Sequence, residues 1–200
     1  MTTFERPKTR LWTCDEYHRA SELGLFGPDE RLELLEGEII TKVSPQSKPH
    51  AQSIVLTAEA LRRLFSEGYH IREEKPLVLT DRSEPEPDIV VVRGTSRQSP
   101  DHPTPATAVL VVEVSESTLT FDRTEKAVAY ARSGIAEYWI VNLRARCLEV
   151  HRDPGPVQAE ETGYRSKQTL AEDGEIAPLE KPGYRVAVAD LLPLIGNSPR

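Results

Sequence analysis

A chain of 200 residues, 38% hydrophobic and 28% charged, is long enough for one α/β core and too short for two independent ones. Its 25 basic and 32 acidic residues leave a net charge of −7, which excludes a protein that coats a phosphate backbone by bulk charge and leaves room only for local basic clusters. Apolar runs such as "VLVV" (109–112) fall far short of the roughly 20 residues a bilayer span needs; with no apolar signal segment in "MTTFERPKTR" and no metal-ligand spacing between Cys14 and Cys147, a reducing cytoplasm is the expected compartment.

In "WTCDEYHRASELG", Thr13 and Glu16 have the spacing of a capping box and Gly24 can stop the helix, so 14–23 is predicted helical. "RLELLEGEIITKVSP" reads as an antiparallel hairpin turning at Glu36-Gly37, where glycine supplies the positive φ of a tight turn. From Ser47 to Glu67 an amphipathic helix follows, with Ile54, Leu61, Leu64 and Phe65 on one stripe and Arg62 and Arg63 off it. "YHIREEKPLVLT" is a plausible strand. "DIVVV" and "AVLVVEVS" lack polar alternation, as strands covered on both faces do, and the Pro-rich segment between them reads as an exposed loop. "FDRTEKAVAYARSG" predicts a helix of about three turns capped at Gly134. "EYWIVN" and "CLEVHR" form a further pair of strands, and the tail from Asp153 carries weaker strands at "YRSKQTL" and "YRVAVADLL". One domain results over 1–200, with a core at about 10–152, a β appendage at about 153–193, and a mixed α+β sheet flanked by helices.

Chemistry concentrates at two strand ends. Asp88 begins "DIVVV" and Glu113 closes an apolar run, so antiparallel pairing of these neighbours brings both acids to one end of the sheet, about 4.8 Å apart in strand spacing. Two carboxylates so close resist joint ionisation unless a cation lies between them, and hard oxygen ligands suit Mg²⁺ or Mn²⁺. Lys126, on the next helix with Tyr130 one turn later, could position water or stabilise charge on a phosphate.

At these residues the chain resembles the PD-(D/E)XK nuclease superfamily, and more closely its bacterial Uma-type restriction endonucleases. The matching segments are "RLELLEGEI" (31–39), "SPQSKPH" (44–50), "PDIVVV" (87–92), "VVEVSESTLTFDRTEKAVAYARSGIAEYWIVN" (111–142) and the closing "VAVADLLP", in that order. The resemblance implies a restriction-endonuclease-like fold and a Mg²⁺- or Mn²⁺-dependent site acting on DNA. Asp88 and Glu113 would be metal carboxylates, the Val114 carbonyl a third ligand, Glu33 an extra acid and Lys126 the catalytic lysine, while His50 matches a histidine after the family's "SP". The wider superfamily places its lysine where Ser115 stands here, so that role passes to Lys126. Cutting both strands often needs two sites, which a homodimer would supply.

Each residue also has a plainer reading. Asp88 could be a turn residue after proline, Glu113 a structural salt-bridge partner of Lys126, and Lys126 a solvated residue paired with Asp122 one turn earlier. Glu33 could lie on a polar hairpin face, His50 could sit at a helix start, and Tyr130, Tyr138 and Trp139 could belong to the core. Against a nuclease stand a non-catalytic binding module on the same fold and a hydrolase of smaller phosphate esters. Arg62, Arg63, Arg93, Arg97 and Arg123 are the candidate phosphate contacts beyond the site.

Overall fold

The capping box at Thr13 forms: its hydroxyl accepts from the Glu16 amide at 3.2 Å and the Glu16 carboxylate accepts from the Thr13 amide at 3.2 Å, opening α1 (Cys14–Glu22). The chain is a computed structural model that describes residues 9–42, 47–97, 101–158 and 161–194; Ser44 to Gln46 of the "SPQSKPH" segment therefore lie outside the described residues. β1 (Leu32–Leu35) and β2 (Glu38–Thr41) pair antiparallel around Glu36 and Gly37, both at positive φ (50° and 85°), as the hairpin reading requires. α2 (Lys48–Leu64) buries the predicted Ile54, Leu61, Leu64 and Phe65 stripe.

The central sheet has six strands in the order β3-β4-β5-β6-β7-β8: β3 (Tyr69–Glu73), β4 (Ile89–Arg93), β5 (Ala108–Ser115), β6 (Glu137–Asn142), β7 (Cys147–Gln158) and β8 (Glu161–Ala171). All neighbours are antiparallel except β5 and β6, and a parallel pair needs a crossover, here helical. The sheet is covered on both faces. Ile89, Val91, Val112 and Val114 meet α2, while Val90, Val92, Val111 and Ile140 meet the crossover helix, which accounts for strands without polar alternation.

Three elements differ from the sequence reading. The strand expected across 69–80 stops at Glu73, because Glu74 turns to positive φ (47°), and Thr80 is left in an isolated bridge to Ser83. The stretch from Asp153 does not stand apart: β7 runs unbroken through 153 and β8 pairs along it from Cys147 to Gln158, so both belong to the central sheet. Beyond β8 the short β9 (Glu175–Ile176) and β10 (Val186–Ala187) pair with each other; the strand expected at "YRVAVADLL" keeps just Val186 and Ala187, because Val188–Leu191 closes into a 3₁₀ turn whose Leu191 carbonyl accepts the Ser53 hydroxyl of α2.

The crossover is one helix in three parts: α3 (Leu119–Phe121), a π-helical turn (Asp122–Lys126) and α4 (Ala127–Arg132), ending before Gly134 at φ 80°. In an unbroken α-helix, Asp122 and Tyr130 would be about 80° apart around the axis. The wider π turn takes more residues per revolution and cancels much of that drift, so Asp122, Lys126 and Tyr130 all point into the sheet and all are buried.

Candidate active site

β4 and β5 decide where the first two acids meet. Ile89 pairs with Val112, and one further step of that register sets Asp88 opposite Glu113. Alternation puts both on the face of Val90 and Val111, under the crossover helix. The Asp88 amide points at Glu113 Oε2 (3.4 Å), and Asp88 Oδ2 accepts from the Val114 amide at 2.7 Å. With Lys126, these acids form the floor of a cleft of about 380 Å³ that Glu33, His50 and Asp122 also line.

The floor is buried: Asp88, Glu113 and Lys126 are 7%, 3% and 4% exposed. Lys126 Nζ lies 2.8 Å from Glu113 Oε1 and 3.2 Å from Glu33 Oε1. Tyr130 donates to that same Glu113 oxygen at 2.7 Å. Glu33 Oε2 accepts the Glu86 amide at 3.0 Å, so both Glu33 oxygens are engaged. On the other side, His50 stands in the first turn of α2, whose N-cap Ser47 accepts the His50 amide and donates to Glu116. Its ring lies 3.5 Å from Asp88 Oδ2 and reaches the Val114 carbonyl.

These contacts set the electrostatics. Burial pushes the Glu113 carboxyl up, the Lys126 ammonium pulls it back, and Asp88, Asp122 and Glu33 add to the rise, leaving it at about 8. Burial also opposes ionisation of Asp88, but His50, the Val114 amide and Lys126 outweigh it and hold that carboxyl below its usual range. Lys126 is raised: burial disfavours its charge, and Glu113, Glu33 and Asp122 more than compensate. His50 is raised as well, burial being outweighed by Asp88. Burial raises Asp122 despite Lys126 and the Thr118 hydroxyl, which donates to it at 2.7 Å.

Asp88, Glu113, Val114, Lys126, Glu33 and His50 therefore converge on one cleft, and Tyr130 is buried behind it on Glu113. The plain reading of Lys126 as a solvated residue fails, since it is buried, as does that of Glu33 on a polar face; the Glu113–Lys126 ion pair is present. The arginines expected to contact phosphate beyond the site do lie away from the cleft. Arg62 and Arg63 sit near the C-terminus of α2, about 18 Å along the helix from His50, paired with Glu73 and Glu59. Arg93 is at the far end of β4 with Glu180, and Arg123 makes two bonds to Glu149; neither these nor Arg97 lines the cleft. The cleft's other cations, Arg31 and Lys42, went unread because only hairpin register reveals them. Sequence spacing places Asp122 only as a surface partner of Lys126, since a π turn leaves no periodic signature.

Among the described residues no three Asp, Glu, His or Cys side chains stand as a preformed metal cage. The Lys126 ammonium lies against Glu113 and the His50 ring against Asp88. The donor set still suits a hard divalent ion, with two carboxylates on adjacent strands and the Val114 carbonyl within reach of the same imidazole. His50 Nδ1 is buried without a hydrogen-bond partner, an orphaned donor or acceptor that a bound group could satisfy.

A family model, Uma2, described as "Putative restriction endonuclease", matches residues 14–189. A comparison with proteins of curated function found no match. The crystal structure of "a putative nuclease belonging to DUF820" from Anabaena variabilis is similar with a TM-score of 0.64 at 17% identity, over 90% of this chain and 96% of that one. At that identity the likeness shows the fold, a restriction-endonuclease-like mixed sheet between helices. Among the described residues no helix is long and apolar enough to cross a membrane.

Proposed function

The chain belongs to the Uma2 family, and from that premise we propose that it is a Mg²⁺- or Mn²⁺-dependent endonuclease that hydrolyses phosphodiester bonds in DNA. The observation that carries the reading is the meeting of Asp88, Glu113 and Lys126 on the floor of one cleft, with Lys126 and Tyr130 on the same Glu113 oxygen.

Asp88 and Glu113 would hold the ion, with the Val114 carbonyl as a third ligand. The bound ion supplies neutralisation of the phosphate and a water of lowered pKa. Lys126, once released from Glu113, carries a full positive charge next to the reacting phosphate and stabilises the charge that builds there. Tyr130 fixes the Glu113 carboxylate by its 2.7 Å bond, and Glu33 holds the lysine ammonium in place through its 3.2 Å contact. His50 Nε2 steadies Asp88 from the α2 side. A symmetric pair of chains would present two such sites to the two DNA strands.

The closed Glu113–Lys126 pair favours a second reading, a non-catalytic module in which the charges serve only the fold. One experiment separates the two. Under the nuclease reading, Mn²⁺ at about 100 times its Kd stabilises the protein by roughly 2.7 kcal/mol, a rise in Tm of about 5–10 °C for a chain of this size. Plasmid nicking should appear in Mn²⁺, and Asp88→Ala with Glu113→Ala should abolish both effects. A Tm that ignores Mn²⁺, or a shift unchanged in the double variant, would establish the module instead. Cleavage of a small phosphodiester without plasmid nicking would point to a smaller substrate.

A further inference from the structure

Arg31 and Lys42 line the same cleft as the carboxylates yet hold neither Asp88 nor Glu113. Their placement follows from hairpin register. Leu32 pairs with Thr41, and the Lys42 amide donates to the Arg31 carbonyl at 2.8 Å, so the two cations stand directly opposite each other one step beyond β1 and β2. Alternation sets Arg31 on the face of Glu33 and Lys42 on the face of Ile40, two residues further out, or about 6.7 Å toward the open end of the hairpin.

Like charges directly opposite in a hairpin are destabilising. Here each is offset locally: Arg31 lies 2.6 Å from Glu74, and Lys42 donates to the Glu86 carbonyl at 2.7 Å with its carboxylate at 3.4 Å. Local stability gives no reason for the pairing. The cleft gives one, because Glu33, Asp88, Glu113, Glu116 and Asp122 all line it, and a polyanion cannot approach five acids without cations at the entrance.

We propose that Arg31 and Lys42 form a clamp that grips a backbone phosphate of the nucleic-acid strand entering the cleft. The inference rests on the nuclease reading. Arg31 offers a planar fork of donors to two phosphate oxygens and Lys42 a point charge to the same group. Neither reads bases, so the clamp positions the strand without choosing its sequence.

The test is the salt dependence of binding. Fluorescence anisotropy of a labelled DNA duplex and of its single strand, in Ca²⁺ across a NaCl series, compares wild type with the double variant Arg31→Gln/Lys42→Gln. Losing two phosphate contacts should reduce the slope of log K against log[salt] by about 2 and weaken binding by roughly tens of times near 0.1 M salt. The swapped variant Arg31→Lys/Lys42→Arg should keep the slope, and the Mn²⁺-induced rise in Tm should be unchanged in both variants. A wild type that binds with a slope the double variant leaves intact overturns the clamp alone. A wild type that binds neither form of DNA overturns the clamp and the nuclease reading together.

Discussion

Lys126→Met tests whether the buried ammonium is the internal counter-ion of the site. The substitution keeps the length of the side chain and its packing against the sheet but removes the one cation within 3.2 Å of both Glu113 and Glu33. Above about pH 8, where Glu113 is ionised, it then faces Glu33 and Asp88 without a cationic counter-ion, keeping only its bond from Tyr130, as Glu33 keeps that from the Glu86 amide. Breaking a buried ion pair from one side costs about 3–5 kcal/mol. For a chain of this size each kcal/mol moves Tm by about 2–4 °C, so the variant should melt roughly 6–20 °C below wild type in EDTA. Mn²⁺ should restore much of that loss, because a cation can then take the vacated place without displacing a lysine. The metal-induced rise in Tm should therefore exceed that of wild type even as DNA cleavage is lost. Differential scanning fluorimetry in EDTA and in a Mn²⁺ series reads both quantities. A variant within about 2 °C of wild type in EDTA, with no larger response to Mn²⁺, would show that Lys126 neither balances these carboxylates nor competes for the cation position.

The metal-free protein should lose stability as pH rises from about 6.5 to about 8; below that range His151, which burial lowers to about 4, gains stability with rising pH and offsets Glu113. Glu113, at about 8, and His50 both have raised values in the folded chain, so the stability each contributes is complete below its unfolded pKa and disappears as pH passes through its folded one. Asp88 is lowered and acts in the opposite sense, only at acid pH. Melting curves in EDTA across that window check the sign, and Glu113→Gln should flatten the slope; a Tm that climbs with pH contradicts it. Mn²⁺ must displace the Glu113 proton, so its affinity by calorimetry should grow with pH and level off near 8. Tyr130→Phe removes a single 2.7 Å bond to Glu113 and should cost about 1–2 kcal/mol in chemical denaturation, with Mn²⁺ binding retained. Glu33→Gln should reduce Mn²⁺ affinity less than Asp88→Asn does, since both Glu33 oxygens already serve Lys126 and the Glu86 amide; equal losses would make Glu33 a ligand.

Much of the fold is local and was legible as such. The Thr13/Glu16 capping box, the Glu36-Gly37 turn and the apolar stripe of α2 each depend on residues within a few positions of one another. The meeting of Asp88 and Glu113 was almost as readable, because antiparallel neighbours with acids at matching strand ends leave one register that buries both apolar runs. The strand at "YRSKQTL" was legible but its place as β8 of the central sheet was not, since exposed polar residues dominate it and only its pairing with β7 puts it there.

The sequence by itself determined which chemistry the chain could carry: paired acids, a following lysine and an ordered set of motifs around them. Tertiary structure alone decided how those groups are held. His50 reaches Asp88 only because α2 packs its first turn over the end of β5, and Glu33 is buried only because the hairpin closes on Lys126. A π turn brings Asp122 into line, and hairpin register sets Arg31 beside Lys42. Local patterns follow from backbone geometry and nearest neighbours. The burial that shifts a carboxylate to about 8 comes from segments distant in the chain, and no short stretch of residues encodes it.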